Sequence, residues 1–291
     1  MEDEVWTVAR IMDWTRSYFS ECGIDTARLD AEVLLSHVFG KERIYLYTHF
    51  DRPLTPEERG AFRGLVKRRA QREPVAYILG EKEFYGRSFR VTPDTLIPRP
   101  ETEHLIDGVL KWVAAREETS ESTPIRVLDV GTGTGCIALT LAAELKEAEI
   151  VAVDLAASAL RVAEDNAKRL GLGEKVEFRC GDLLAPVLGE QFDIIVSNPP
   201  YVEESERATL QPEVRDFEPQ GALFAGDDGM MVINRLIPAV WDHLKPGALF
   251  ALEFGSSQRE MVAQKMTQRW QNYWIEEDLQ GHPRSLFAER S

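Results

Sequence analysis

The chain has 291 residues, 44% of them hydrophobic and 29% charged, with a formal net charge of −15 at pH 7. That length fits two domains, or one large domain with an extension, and leaves ample apolar surface for a core. The acidic balance argues against a protein that grips nucleic acid over a broad basic surface, and no apolar run reaches the roughly 18 residues needed to span a bilayer. The start, Met1-Glu2-Asp3-Glu4, is acidic, unlike a secretory signal or a transit peptide. Cys22, Cys136 and Cys180 stand far apart without metal-ligand spacing, which points to a reducing, cytosolic setting and to no metal site.

Residues 1 to about 74 read as helical. Val5, Trp6, Val8, Ile11, Met12 and Phe19 recur at near-helical spacing, and Trp6 and Trp14 are expected in the core. A second helix is predicted from about Thr26 to Phe39, stopped by Gly40. A third opens on Thr55-Pro56-Glu57-Glu58, a capping box with proline at the first helical position, and runs to about Arg72. On it Arg59, Arg63 and Lys67 share a face, and Arg68, Arg69 and Arg72 extend the charge. The expected role of this charge is a solvated face paired with nearby glutamates; the competing reading is a docking surface for an acidic partner or for RNA.

Tyr77-Ile78-Leu79-Gly80 and Phe84 to Val91 are short, aromatic and glycine-punctuated, as in a β-hairpin linker. Pro98-Arg99-Pro100-Glu101-Thr102-Glu103 leads into a helix through about Arg116, followed by a polar loop at 117–123. From Ile125 onward strands alternate with helices. Strands are predicted at 125–130, 149–153, 175–179, 192–197 and 248–253, and helices at 135–146, 156–170, 228–244 and 257–269. Such alternation implies an α/β fold with a parallel sheet covered on both faces, and ligands at the carboxyl ends of its strands.

The chemistry is expected at those strand ends. Asp129-Val130-Gly131-Thr132-Gly133-Thr134-Gly135 follows a strand and opens a helix, so its backbone can turn tightly and approach a ligand. The spacing departs from the dinucleotide pattern, because position 136 is Cys, and fits an S-adenosylmethionine loop. Asp154, ending Ile150-Val151-Ala152-Val153, can accept from two ribose hydroxyls, although alone it could equally cap the next helix. Asp182 can accept from an adenine amino group beside an apolar wall at Leu183, although Gly-Asp is also a common turn pair.

The sharpest signal is Asn198-Pro199-Pro200-Tyr201, directly after the buried strand Phe192 to Ser197. The asparagine oxygen and the carbonyls left by two prolines are acceptors, suited to an NH2 group on an sp² carbon, and Tyr201 can stack on that planar group. His37, His49, His104, His243 and His282 are scattered, with no nucleophile or metal cluster beside them.

These segments, together with Pro74 to Gly80, Leu96 to Glu103, Glu218 to Gly226, Glu253-Phe254-Gly255 with Gln258, and Asp278 to Arg284, resemble the HemK/PrmC family over nearly the whole chain. That family comprises protein-(glutamine-N5) methyltransferases acting on peptide chain release factors. The resemblance implies a Rossmann-like seven-stranded class I methyltransferase domain at 98–291, a β-hairpin linker at 75–97 and a small helical substrate-recognition domain at 1–74. It implies S-adenosylmethionine, with S-adenosyl-L-homocysteine as product, held by Asp129, Gly131, Thr132, Gly133, Thr134, Gly135, Asp154, Asp182, Leu183 and Asn198. It implies that Asn198, Pro199, Pro200 and Tyr201 hold the glutamine of a Gly-Gly-Gln motif, with Asn198, Pro199 and Tyr201 catalytic. A cytoplasmic monomer is expected, with release factors as partners and neither a stable nucleic-acid complex nor a membrane attachment. The alternatives are glutamine methylation of a ribosomal protein, methylation of adenine N6 or guanine N2 in nucleic acid, and a non-catalytic adaptor that binds a translation factor through residues 1–74.

Overall fold

A computed structural model describes residues 5–117, 124–267 and 269–291. The acidic Met1 to Glu4 and positions 118–123 of the predicted polar loop lie outside the described residues. The helices are α1 (Val8–Glu21), α2 (Ala27–Phe39), α3 (Ile44–Thr48), α4 (Pro56–Ala70), α5 (Val75–Leu79), α6 (Thr102–Glu117), α7 (Cys136–Glu144), α8 (Ala157–Arg169), α9 (Pro212–Phe217), α10 (Met231–His243) and α11 (Arg259–Lys265). The strands are β1 (Glu81–Phe84), β2 (Arg87–Arg90), β3 (Ile125–Val130), β4 (Ala148–Asp154), β5 (Val176–Cys180), β6 (Phe192–Ser197), β7 (Leu244–Glu253), β8 (Trp270–Glu277) and β9 (Pro283–Arg290). They form two compact units, one running to Gly80 and including Gln211–Phe217, the other comprising Glu81–Leu210 and Glu218–Ser291.

The helical unit buries Val8, Phe19, Leu34, Leu35, Phe62 and Val66 in one cluster. The capping box that opens α4 is present in both directions: Glu58 N donates to Thr55 Oγ1 at 3.2 Å, and Thr55 N donates to Glu58 Oε2 at 2.9 Å. Gly40 ends α2 in the left-handed region at φ 59°. Two expectations change here. Residues 75–79 form a helical turn instead of hairpin, because Pro74 opens it in extended geometry and Gly80 closes it at φ 77°. Trp14 is not core: it is 51% exposed, its ring stacked on Tyr18 at 5.2 Å.

The basic residues of α4, with Arg72 just after it, also divide. Arg68 pairs with Glu73 at 2.5 Å; Arg69, 4% exposed, donates to Asp30 and Glu213 at 2.7 Å each; Arg72 reaches Glu213 at 2.6 Å. Arg59, Arg63 and Lys67 have no such partner among the described residues. The glutamate pairing expected for that face therefore belongs to its neighbours. The reason is spacing: no carboxylate lies three or four residues from Arg59, Arg63 or Lys67.

The second unit is built on a seven-stranded sheet of order β5-β4-β3-β6-β7-β9-β8, with β1 and β2 forming a separate antiparallel hairpin. Strands β3 to β7 pair parallel, and β9 lies antiparallel between β7 and β8. The central parallel strands carry apolar runs, Ile150 to Val153 in β4 and Ile194 to Val196 in β6, because both faces are covered, with separate buried clusters on the two sides. Sequence periodicity located the five parallel strands and their helices to within a few residues. It missed β8 and β9, where apolar triplets such as Leu286-Phe287-Ala288 are flanked by charged and polar residues. Register sets the site: Val130 pairs with Val153 on one side and Ser197 on the other, so the segments leaving β3, β4 and β6 open at one level.

Candidate active site

The chain proceeds from β3 outward through β4 and β5, then returns to the other side of β3 for β6 and β7. The crevice at that reversal is where open α/β sheets bind ligands. A cavity of about 620 Å³ occupies it, lined by Gly131 to Thr134 after β3, Asp154 to Ala156 after β4, Gly181 to Leu183 after β5 and Asn198 to Pro200 after β6.

Most of the glycine loop, though not all of the residues expected to hold a cofactor, lies on the cavity wall. Gly131, Gly133 and Gly135 all lie at positive φ, 80°, 55° and 79°. Gly131, Thr132, Gly133 and Thr134 line the cavity. Gly135 does not: a Cβ there would stand 3.0 Å from Leu139 Cδ1 and 3.2 Å from Ala163 Cβ, so this glycine lets α7 and α8 approach. Asp129 also stands one layer back, 0% exposed. Its Oδ2 accepts from Thr132 Oγ1 at 2.7 Å and from Ala138 N at 3.2 Å, tying the loop to the first turn of α7. Its Oδ1 is buried without a partner, and burial pushes the carboxyl up to about 7. Cys136, where a dinucleotide loop would have glycine, has its thiol pushed up to about 12 by burial.

Asp154 accepts from Gly133 N and Ala156 N, both at 2.8 Å, which joins the two loops and leaves further lone pairs on each oxygen. Its carboxyl is raised by burial, against the pull of those amide donors. Leu155 beside it is 72% exposed on the cavity wall. Asp182 sits on the wall paired with Arg235 at 2.5 Å. Leu183 holds φ 49°, a left-handed conformation that a γ-branched residue rarely adopts, and such outliers gather where a ligand must be met.

At the end of β6, Asn198 Nδ2 donates to Thr102 Oγ1 at 3.1 Å, and Thr102 Oγ1 donates to Glu253 Oε2 at 2.7 Å. An ionised carboxylate only accepts, and a hydroxyl has one proton to give. Thr102 must therefore accept from Asn198, which fixes the amide with Oδ1 free of any protein partner among the described residues. Tyr201, where a stacking ring is expected, does not line the cavity; its hydroxyl donates to Glu253 Oε1 at 3.3 Å, and its ring packs on the cluster under β6 and β7. Burial pushes the Tyr201 hydroxyl up and Glu253 up to about 6.

Several supporting residues escaped motif reading by role, although some stand inside the resembling segments. Glu218 accepts from Ile97 N at 3.1 Å and Arg99 at 2.6 Å, holding the 97–99 wall of the cavity. Gln258 donates to Tyr201 O at 2.9 Å and Asp228 O at 3.2 Å and accepts from Gly255 N at 3.0 Å, stapling three loops. Asn166, 0% exposed, donates to Thr134 O and Arg90 O at 3.0 Å each and accepts from Arg90 N at 2.7 Å.

Residues 10–80 match the family described as the PrmC N-terminal domain, and residues 116–241 match the methyltransferase small domain. The chain is 46% identical over 98% of its length, and 99% of the relative's, to a release factor glutamine methyltransferase of Koribacter versatilis. It is 44% identical over 89% of its length, and 88% of the relative's, to one of Geobacter sulfurreducens. Among solved structures, the hMettl16 catalytic domain in complex with a MAT2A 3'UTR hairpin matches the fold at a TM-score of 0.55 and 18% identity, over 78% of this chain and 81% of that one. With its seven-stranded sheet, its glycine loop and its Asn-Pro-Pro-Tyr turn, the chain belongs to the release factor glutamine methyltransferase family.

Proposed function

We propose that the chain is an enzyme that transfers the methyl group of S-adenosylmethionine to the side-chain amide nitrogen (N5) of the glutamine in the Gly-Gly-Gln motif of peptide chain release factors. The observation that carries this reading is the orientation of Asn198, whose Oδ1 is left without a protein partner beside Pro199 and Pro200 on the cavity wall.

The cavity residues fit the cofactor. Asp154 has lone pairs for a ribose diol, and Leu155 and Leu183 offer apolar walls for an adenine. Asp182 stands there as an acceptor for the amino group, and the positive-φ glycines allow close backbone approach. When bound, the cofactor supplies an electrophilic methyl on a cationic sulfonium.

The substrate nitrogen is a poor nucleophile because its lone pair is shared with its carbonyl. Asn198 Oδ1 and the Pro199 carbonyl accept from its two N–H bonds. That fixes the plane of the amide and builds electron density on nitrogen. Pro199 and Pro200 have no N–H to compete for these acceptors. The surplus proton leaves to water. Positioning and preorganised acceptors therefore provide the acceleration, without a dedicated base. Residues 1–74 act as the substrate-recognition domain, residues 75–97 as the linker and 98–291 as the methyltransferase domain. The enzyme works in the cytoplasm as a monomer, with no stable nucleic-acid or membrane partner; among the described residues no helix is long and apolar enough to cross a membrane.

The test is incubation with labelled S-adenosylmethionine and unmodified release factor, with the methyl mapped by mass spectrometry. A methyl on the Gly-Gly-Gln glutamine, lost in Asn198→Ala with cofactor affinity retained, is expected. Comparable losses of turnover and cofactor affinity would undo the role given to Asn198. Transfer to a ribosomal protein or to nucleic acid instead would replace the substrate and keep the chemistry.

A further inference from the structure

The helical unit carries a feature that the methyl-transfer site does not use. Between α1 and α4 runs a groove of about 740 Å³, with Trp6, Trp14 and Tyr18 on one wall and Arg59, Arg63 and Lys67 on the other. The aromatic wall is built as a continuous surface: Trp14 packs edge-on against Trp6 at 6.3 Å and face-to-face on Tyr18 at 5.2 Å. Half of Trp14 is nonetheless open to solvent. Contiguous exposed aromatic surface is uncommon on a soluble chain and marks contact sites.

The opposite wall is equally unspent. Its three cations are exposed and have no ion-pair or hydrogen-bond partner among the described residues. Arg68 and Arg69 on the same helix, and Arg72 just after it, are all engaged. In a chain with 49 Asp and Glu against 34 Lys and Arg, a row of cations one turn apart with no carboxylate within reach along the helix is a local inversion of the prevailing charge. Gly60 adds a third, independent mark. It lies inside α4 on the groove, and a Cβ there would meet nothing within 4 Å. Glycine in a helix interior costs about 1 kcal/mol relative to alanine, and no packing in this unit requires it. It leaves the backbone bare for something to approach closely.

We propose that this groove docks an acidic segment of the protein substrate that also carries apolar side chains, its carboxylates along Arg59, Arg63 and Lys67 and its apolar groups on Trp14 and Tyr18. This rests on the reading that the substrate is a folded protein. Charge complementarity selects an acidic occupant, and the aromatic wall selects one with apolar groups. A single-stranded RNA has both phosphates and stacking bases, but three cations on a chain of net charge −15 provide a short track against a long-range repulsion.

The experiment uses the full chain, as wild type, as the triple variant Arg59→Glu/Arg63→Glu/Lys67→Glu, and as Trp14→Ala. Methylation is measured on intact release factor and on a short Gly-Gly-Gln peptide, alongside direct binding of the factor and of a single-stranded RNA oligonucleotide. For the triple variant, KM for the intact factor should rise about tenfold or more with kcat kept, and the salt dependence of KM should flatten, because rim charges act on association. Peptide turnover should not change. Trp14→Ala should also raise KM for the intact factor, at unchanged salt dependence. All four positions being at the surface, the variants should melt with the wild type; if the triple variant does not fold, Lys67→Glu alone carries the charge arm. Unchanged KM and binding for the intact factor, an equal loss on factor and peptide, or loss of RNA binding alone would each overturn the docking site. Wild-type enzyme that binds the factor through this groove but methylates no glutamine would instead overturn the functional reading and leave the groove standing.

Discussion

Thr102 Oγ1 stands 3.1 Å from Asn198 Nδ2 and 2.7 Å from Glu253 Oε2, and so decides which way the Asn198 amide faces. Thr102 opens α6 and is 2% exposed; Glu253 ends β7 and is 1% exposed. Removing the hydroxyl leaves the amide free to turn over and present a donor where an acceptor is needed. Thr102→Val, nearly isosteric, should lower kcat roughly 10- to 100-fold, below the loss from deleting a transition-state hydrogen bond outright. KM for S-adenosylmethionine should stay within about threefold, and Thr102→Ser should restore most of the rate. A Thr102→Val enzyme with wild-type kcat, or a Thr102→Ser enzyme as slow as the valine variant, would show that Asn198 needs no such orientation.

Gly229 makes a second demand on the same turn. At φ 66°, a Cβ on this residue would stand 2.2 Å from Tyr201 O and 2.4 Å from Gln258 Nε2. Gln258 donates to that carbonyl, so neither atom can retreat without opening the staple between the turn and residue 255. Gly229→Ala should destabilise the second unit by at least roughly 2 kcal/mol, from left-handed strain and overlap together. Urea unfolding followed by circular dichroism measures this. Gly221→Ala, where a Cβ meets nothing within 4 Å, is the control expected to melt with the wild type.

What could be read in the chain beforehand follows from locality. Gly131 to Thr134 and Asn198 to Pro200 are contiguous stretches, and both line the crevice. Thr102 and Glu253 are separated by 151 positions, and only the meeting of α6 with β7 joins them, so neither looked functional alone. Tyr201 shows the complementary limit. Its type allows stacking, but the buried carboxylate of Glu253 fixes its hydroxyl, and its ring follows. Asp129 shows the same limit, since composition placed it at the loop but could not say that Thr132 would stand in front of it. On α4, spacing alone separates the unpaired Arg59, Arg63 and Lys67 from carboxylates along the helix. The partners of Arg69 come from Asp30 and from Glu213, which is 144 residues away, and only folding reveals them.

That contrast on α4 predicts opposite stability effects for two arginines. Arg69 is buried between two carboxylates, whereas Arg63 is exposed and pairs with nothing among the described residues. Removing the buried cation leaves Asp30 and Glu213 short of charge compensation in a poorly solvated place, so Arg69→Ala should cost the helical unit about 3 kcal/mol. Arg63→Ala should stay within about 0.5 kcal/mol of the wild type. Hydrogen exchange of the α2 and α4 amides reports this unit separately from the sheet. Equal protection in both variants would mean that the Arg69 network contributes nothing to stability.

Asp129 gives the chain a pH dependence opposite to that of an ordinary ion-paired carboxylate. Burial raises its folded value to about 7 from an ordinary 3.8, and Glu253 moves the same way, to about 6 from 4.5. A group raised on folding binds its proton more tightly in the folded state, so its ionisation opposes folding. The penalty is absent below the unfolded value, grows as pH rises between the two values and is complete above the folded one. For Asp129 that window runs from about pH 4 to about pH 7. Asp129→Asn keeps an oxygen for Thr132 and Ala138 and removes the charge, at the cost of an unpartnered buried N–H2 worth about 1–3 kcal/mol. The variant should therefore melt below the wild type at pH 5 and above it at pH 8. Each kcal/mol corresponds to roughly 2–4 °C for a domain of this size. Calorimetry at the two pH values measures the difference, and a difference independent of pH would mean that Asp129 is ionised in the folded chain without penalty. The same substitution removes a buried anion behind the glycine loop, so titration calorimetry should find affinity for the cationic S-adenosylmethionine falling more than affinity for the neutral S-adenosyl-L-homocysteine.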